Sequence, residues 1–410
     1  MASKWVDIPL GEAVELKRGY DLPQQSRCAG NVPIVSSSGI SDTHSEAKVK
    51  APGVVTGRYG TIGDVFYITT DFWPLNTTLY VRDFKGNDPR FVSYLLQTID
   101  YSSCSDKGAV PGVNRNHLHE LKIKLPPYSY QQAIASVLGT LDDKIELNRR
   151  MNGTLESMAR ALFQSWFVDF DPVRAKQQGR KPAGGDPTTA ALFPAEFVPS
   201  ELGEIPMWWE TTPLYDVARF INGAAFRTDD FCESDGLPVV KIAELKDGIT
   251  AQTKFSNRAT DVDRMIETGD LLYSWSGSPE TSLDAFLWSN GPGLLNQHIF
   301  KVVTADLAQK RFVYYLLKHL RPVLVGTAKD KQTTGLGHVT VADMKRLQVC
   351  RPPVPILAAF DRLIAPAFDK AFANNVQSQT LAALRNALLP KLLSGELSVA
   401  DSERLVEKAL

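Results

Sequence analysis

The sequence is short of cysteine, of long apolar runs and of net charge, and each shortage removes a class of protein. Four cysteines in 410 residues, Cys28, Cys104, Cys232 and Cys350, stand far apart with no C-x-x-C pair. They are too sparse for a disulfide framework and wrongly spaced for a zinc site, so reduced thiols and a cytoplasmic setting are expected. No stretch approaches the apolar run that a membrane span needs, and Met1-Ala2-Ser3-Lys4-Trp5 lacks the apolar segment of a signal peptide. Lys and Arg number 45 against 46 Asp and Glu, for a net charge of −1. That balance lacks the basic footprint of a chain that grips DNA unaided. Bound nucleic acid would have to meet local clusters, or partner subunits would supply much of the phosphate contact.

What the sequence does have is an internal repeat. Arg90-Phe91-Val92-Ser93-Tyr94-Leu95-Leu96 returns as Arg311-Phe312-Val313-Tyr314-Tyr315-Leu316-Leu317. From Pro126-Pro127 and Pro352-Pro353 onward the offset is 226 and holds without a gap, pairing Asp143-Lys144 with Asp369-Lys370, Asn148 with Asn374, and Ala161-Leu162 with Ala387-Leu388. Earlier matches are looser: Pro9-Leu10 with Pro213-Leu214, Gly19 with Gly223, Asn76 with Asn296. An ordered series of this kind marks a tandem duplication.

Each copy reads as a mixed lobe followed by a long helix. Short β-rich runs (Val54-Val55, Val65–Ile68, Leu79–Val81) alternate with glycine-containing loops, and Asp88-Pro89 supplies an N-cap and a first-turn proline for a helix through Phe91 and Leu96. The second lobe repeats the order at Leu271–Tyr273, Phe300–Val303 and the helix around Phe312. Alternation at Leu121, Ile123 and Leu125 predicts a last strand. After each proline pair the period changes to the 4-3 spacing of a coiled-coil seam, first at Ile134, Leu138, Leu141, Ile145, Asn148, Asn152, Leu155, Ala159, Leu162 and Trp166. The second seam is Phe360, Ile364, Ala367, Ala371, Asn374, Ser378, Leu381 and Leu388, with Arg385 as its one charged position. Asn148 and Asn374 read as register-setting polar positions, with a solvent-filled middle of the seam as the alternative. Pro366 should kink the second helix or mark its true start. The expected class is α+β, the two helices pairing as an antiparallel coiled coil with pseudo-twofold symmetry. The divisions are 1–127, first lobe; 128–170, central helix; 171–205, linker; 206–353, second lobe; 354–395, C-terminal helix; and 396–410, tail.

Apparent active-site motifs fail on context. Pro126-Pro127-Tyr128 is preceded by Leu125, where an amino-methyltransferase needs an amide or carboxylate to hold its base. Gly57-Arg58-Tyr59-Gly60-Thr61-Ile62-Gly63 has strands on both sides, whereas a dinucleotide loop must open a helix. Glu15-Leu16-Lys17 and Glu244-Leu245-Lys246 match half a nuclease signature at about the frequency chance allows. His117 and His119 have no further ligands nearby, so no metal is expected.

Asp142-Asp143-Lys144-Ile145-Glu146-Leu147-Asn148-Arg149-Arg150-Met151-Asn152, with Met158-Ala159-Arg160-Ala161-Leu162-Phe163-Gln164-Ser165-Trp166-Phe167-Val168-Asp169-Phe170-Asp171-Pro172, resembles the central conserved region of type I restriction–modification specificity subunits. Ser200-Glu201-Leu202-Gly203-Glu204-Ile205-Pro206 is similar to that family's lead into the second lobe, and Leu388–Leu397 to its C-terminal conserved segment. The resemblance implies two target-recognition domains, each reading half of an asymmetric, interrupted double-stranded DNA target, with the helices as a ruler. A rod of roughly 50 Å at 1.5 Å per residue exceeds the 34–36 Å between successive turns of one groove. It also implies two methylation subunits, which bind S-adenosylmethionine, and two restriction subunits, which use ATP and Mg. This chain would itself be non-catalytic, bind no cofactor and touch no membrane. The alternatives are a coiled-coil adaptor without DNA readout and a self-contained adenine methyltransferase or nuclease.

Loop positions suited to base or phosphate contact are Arg58, Tyr59, Asn76, Lys107, Asn114, Arg115 and Asn116 in the first lobe, and Trp275, Asn296, Gln297, His298, Lys329, Lys331 and Gln332 in the second. Asn76 and Asn296, matched in lobes that should read different sequences, also suit turn capping. Phe163, Trp166, Phe167 and Phe170 close the first helix, either as packing against the sister repeat or as a docking face for the methylation subunit.

Overall fold

The computed structural model describes residues 5–104, 112–181, 186–233, 235–332 and 335–410. The chain forms two compact units. The first joins Met1–Glu146 to Thr380–Leu410, and the second is the unbroken stretch Leu147–Gln379.

In the first unit, four antiparallel strands lie in the order Glu15–Arg18, Thr78–Asp83, Gly53–Gly57, Val65–Ile68. The Val/Thr-rich strand Gly53–Gly57 is buried along its length, as β-branched residues between two neighbours should be. Val32–Ser36 forms a second sheet with Gly39–His44 and Trp73–Pro74. The lobe is closed where Val6–Pro9 pairs antiparallel with Lys122–Leu125, the strand its alternation predicts. Helix Pro89–Gln97 begins as expected: Asp88 accepts from Phe91 N at 2.8 Å, and Pro89 stands where no N–H is needed.

Against this lobe lies the first part of the long helix Tyr128–Phe167. Ile134, Leu138 and Leu141 are fully buried there with Leu381, Leu388, Leu389 and Leu392 of the second long helix, Val354–Ser394, and Ile145 packs on the same cluster partly exposed. Arg385, the charged seam position, donates to Asp142 Oδ1 at 2.6 Å, which keeps its charge paired inside the seam. Residues 396–410, expected as a tail, hold the helix Val399–Ala409, capped by Ser398; its Val406 enters the same core. Val399, Val406 and Ala409, at helical spacing, give that segment an apolar face to bury.

The second unit repeats the plan. Its main sheet runs Arg219–Asn222, Ile299–Val303, Leu271–Ser274, Asp284–Leu287, and Glu210–Pro213 closes against Gln348–Arg351. The helix after the sheet, Leu307–Asp330, is 24 residues long against nine in the first lobe. The remainder of the first long helix buries Ala159, Phe163, Trp166 and Phe167 against Phe360, Ile364 and Phe368 of the second. Leu155 and Leu162 are only partly buried. Phe368, not the expected Ala367, is the buried residue here, because the helix face turns toward Tyr314 and Tyr315, whose rings lie 5.4 and 6.0 Å from it. In the second unit Asn148 meets Ser378, Asn152 meets Asn374 and Phe163 meets Phe360, so the seam partners run in opposite sequence directions and the pairing is antiparallel.

Asn148 and Asn374 are each 1% exposed, which removes the solvent-filled alternative. Asn148 Nδ2 donates to Gln377 Oε1 at 3.0 Å and Ser378 Oγ at 3.2 Å, and Asn374 Nδ2 donates to Asn152 Oδ1 at 2.9 Å. Such a layer accepts one alignment only, since a slip strands amides among apolar neighbours. Pro366 does not start the helix, which begins at Val354 and runs through it. Burial of Ile364 and Phe368 on either side offsets the one N–H that proline lacks.

The expected linker is also more than a connection. It carries helices Asp171–Gln177 and Pro187–Ala191 and a hairpin of Phe197–Ser200 with Gly203–Pro206. Val173, Phe193 and Ile205 anchor it in the second unit's core, an apolar content that its glycines and prolines obscure.

Candidate nucleic-acid interface

The two lobes share a backbone frame at one end of the main sheet. A Cβ on Gly19 would lie 2.2 Å from Leu75 O, and one on Gly223 would lie 2.2 Å from Asn296 O, so both positions require glycine for close approach. Around them the hydrogen bonds coincide. Gly19 N donates to Thr78 O at 3.1 Å, as Gly223 N does to Ile299 O at 3.1 Å. Tyr20 N donates to Pro74 O and Ala224 N to Leu295 O, both at 2.8 Å. Arg58 N reaches Thr77 O at 2.9 Å and Trp275 N reaches His298 O at 3.3 Å. Val113 N then bonds Arg58 O at 3.0 Å, as Val339 N bonds Trp275 O at 2.9 Å.

These bonds equate Leu75 with Asn296, and therefore Asn76 with Gln297 and Thr77 with His298. Asn76 and Asn296 are not counterparts: identical side chains one position apart drew the sequence match, whereas the carbonyls of Leu75 and Asn296 hold the frame. The frame equates Arg58 with Trp275, and the strand registers (Arg18 opposite Leu79, Asn222 opposite Phe300) equate Arg18 with Asn222. Arg18 and Asn222 belong to no motif, and Gly19 and Gly223 beside them were the signal that located both.

Side chains on this shared frame differ. In the first lobe the Arg58 guanidinium lies 4.6 Å from the Tyr59 ring centre. Tyr59 pairs with Gly112, where a Cβ would come within 2.3 Å of its ring. Arg18 Nη2 donates to both carboxylate oxygens of Asp21, at 3.1 and 3.2 Å, and Asn76 Nδ2 donates to Oδ1 of the same carboxylate. In the second lobe Trp275 Nε1 donates to Asn222 Oδ1 at 3.1 Å, the rings of Trp275 and His298 stand 5.7 Å apart, and Gln297 Nε2 is 3.3 Å from His298 Nε2. Gln297 and His298 are exposed and Trp275 is half-buried.

Of the remaining loop candidates, Asn114, Lys329 and Lys331 have structural partners. Asn114 caps the helix Arg115–Glu120 by accepting from Asn116 N at 3.0 Å, which occupies the oxygen it would offer a base. Arg115 and Asn116 are exposed on that helix's first turn. Lys329 is ion-paired with Glu280 and Lys331 with Asp343, which removes both ammonium groups from the free positive surface; Gln332 is exposed beside them. Burial works to raise the carboxyl of Asp343, but Lys331 and Thr340 outweigh it and hold it at about 2. Lys107 lies outside the described residues. His119, far from any metal role, accepts from Leu16 N at 3.0 Å through Nε2, and burial with Arg115 and Lys85 nearby keeps its imidazole below the usual pKa. Among the described residues no cluster of His, Cys, Asp and Glu could hold a metal, and no helix is long and apolar enough to cross a membrane.

Phe163, Trp166, Phe167 and Phe170 are 3–8% exposed. Phe167 packs edge-on to Phe360 at 4.8 Å and Phe312 at 5.0 Å, and Phe170 to Trp209 at 5.6 Å. They belong to the core of the second unit, where its lobe and second helix pack on them.

Comparison with known proteins agrees with this plan. The model of the type I restriction modification DNA specificity domain matches residues 2–157 and 206–385. The HindI specificity subunit of Haemophilus influenzae is 27% identical in an alignment of 364 residues that covers 75% of this chain and 77% of the relative. The MjaIX specificity subunit of Methanocaldococcus jannaschii is 29% identical in an alignment of 343 residues that covers 80% of this chain and 74% of the relative. In fold, the crystal structure of a type I restriction–modification S subunit from M. genitalium superposes with a TM-score of 0.58 at 14% identity, covering 95% of this chain and 96% of that one. With a doubled lobe-and-helix plan and a family model that matches both copies, this chain belongs to the type I restriction–modification DNA specificity family.

Proposed function

We propose that this chain is the DNA-reading subunit of a type I restriction–modification complex, in which each lobe reads one half of an asymmetric, interrupted double-stranded target. The observation that carries this reading is one backbone frame bearing different polar side chains. A shared frame presents side chains at the same depth and angle, and different side chains select different base edges. The near-neutral net charge fits a subunit whose partners share the phosphate contacts. The chain directs methylation and restriction subunits to the target in the cytoplasm. S-adenosylmethionine, ATP and Mg are bound by those partners, and the chemistry is theirs.

Two copies of the methylation subunit are favoured by a pair of matching grooves. In the first unit Leu95, Ile99, Ile123 and Leu393 line a groove of about 400 Å³. In the second, Leu316, Leu320, Val349 and Phe167 line one of about 200 Å³. The members correspond one to one under the repeat, and Phe163 and Phe170 help form the second groove's floor. One apolar anchor, carried by two copies of one partner, would suit both.

The deciding experiment is adenine-methylation sequencing of host genomes with and without this gene, the partner subunits being present in both. One interrupted motif should vanish with the gene. An unchanged methylome would sink the reading.

A further inference from the structure

One side-chain assembly on the shared frame is built in a way that folding does not require. Arg18 and Asp21 have side chains 49% and 65% exposed, and at that exposure an ion pair contributes little to stability. The carboxylate nevertheless gathers two donors from separate parts of the chain, Arg18 at a strand end and Asn76 in the loop after Leu75. Nor is the tie part of the common scaffold. Gly19 and Gly223 are kept in both lobes, but Asp21 corresponds to Ala225, and Arg18 to Asn222. The second lobe holds its residue differently, by the Trp275 indole N–H on Asn222 Oδ1.

We propose, on the reading of this chain as a DNA-specificity subunit, that Arg18 and Asn222 are base-reading residues of their respective lobes, with Asp21 and Trp275 as their positioning residues. Both contacts of Arg18 run through Nη2, which can make them with one of its two hydrogens; the other, together with a hydrogen of Nη1, forms the parallel donor pair for the acceptor edge of guanine. Asn76, fixed on the same carboxylate through its Nδ2, presents its carbonyl beside the arginine and suits a neighbouring adenine. A buttressed arginine arrives already ordered, so less side-chain entropy is lost on binding, and a wrong base meets a donor pair that cannot swing away. In the second lobe Asn222, with its oxygen engaged by the indole, offers the Nδ2 donors to an acceptor edge.

The test uses the full chain assembled with its methylation subunits, and reads the methylated motif genome-wide. Arg18→Ala should make one guanine position in one half-site degenerate, with discrimination there falling about 10- to 100-fold, while the other half-site stays intact. Asp21→Ala should relax that same position and the one beside it, without lowering the thermal midpoint. Asn222→Ala should relax the opposite half-site only. Arg18→Lys, which keeps the charge but loses the fork, should relax the guanine as Arg18→Ala does. A motif unchanged in every variant, or a uniform fall in methylation across both half-sites, would overturn the proposal by showing backbone contact alone. Should the unmutated complex yield no interrupted motif, the reading of the chain as a specificity subunit falls as well, so the two failures are distinguishable.

Discussion

The two units fasten lobe to helix with the same arginine set to different depths. Arg90 and Arg311 are counterparts, as are their partners Asp143 and Asp369. Arg90 also lies over Gly139, donating to its carbonyl at 3.0 Å, and its side chain is 26% exposed. A Cβ on Gly139 would come within 2.6 Å of that guanidinium. The second unit has Ala365 at the matching position, and Arg311 turns instead to Asp361 at 2.8 Å, where its side chain is 8% exposed. One methyl group thus coincides with a surface clasp in one unit and a buried one in the other. Duplicated units keep the partner and change the solvent access.

That contrast can be broken by removing each arginine. Arg311→Met should lower stability by about 2 kcal/mol, because it leaves Asp361, 21% exposed, without the guanidinium that pairs it. Arg90→Met should cost about 1 kcal/mol, since Asp143 is 69% exposed and water replaces the lost partner. Urea unfolding midpoints would measure both, and equal shifts would refute the difference in depth. The polar layer in the second unit's seam should come next. Asn374→Leu takes one donor from Asn152 Oδ1, while Asn152 keeps its bond to Asn375, and costs about 1 kcal/mol; Asn148→Leu with Asn374→Leu should cost less than the two single changes together. A double-mutant cycle that is strictly additive would show the two amides acting independently.

The smallest effect separates the units by pH. His119 has its pKa lowered in the folded chain, so it favours the neutral ring, whose Nε2 accepts from Leu16 N–H. Its contribution is therefore complete above the ordinary value near 6.5 and is lost as pH falls through the folded value. The second unit has Lys345 at this position. His119→Gln can accept the same bond without titrating, and it should flatten the fall in stability between about pH 7 and 5. An unaltered pH profile would mean that the ring does not carry it.

Where sequence reading succeeded and failed follows from what holds each part. The helices must keep heptad spacing to stay paired, so their gapless offset displayed Ile134, Leu138, Leu141, Asn148 and Asn374 directly. The lobes are held by backbone bonds that leave side chains free to change. Their offset drifts from 204 at Gly19 and Gly223 to 217 at Arg58 and Trp275, and reaches 226 at Val113 and Val339. Like side chains pair Asn76 with Asn296 in the sequence, although the carbonyl positions match Asn76 to Gln297. Phe163, Phe167 and Phe170 show the converse limit. Aromatics at helical spacing mark a buried face without saying whether the same chain or another covers it.

The order of synthesis gives the interleaved units a further consequence. The first lobe leaves the ribosome before the second, yet Leu381, Leu388, Leu389, Leu392 and Val406, which complete its core, are made after the whole of the second unit. Until they arrive, Ile134, Leu138 and Leu141 lack their partners. The unit begun earliest is finished last, and a nascent chain must keep that apolar face from aggregating while more than half of its length is still being made.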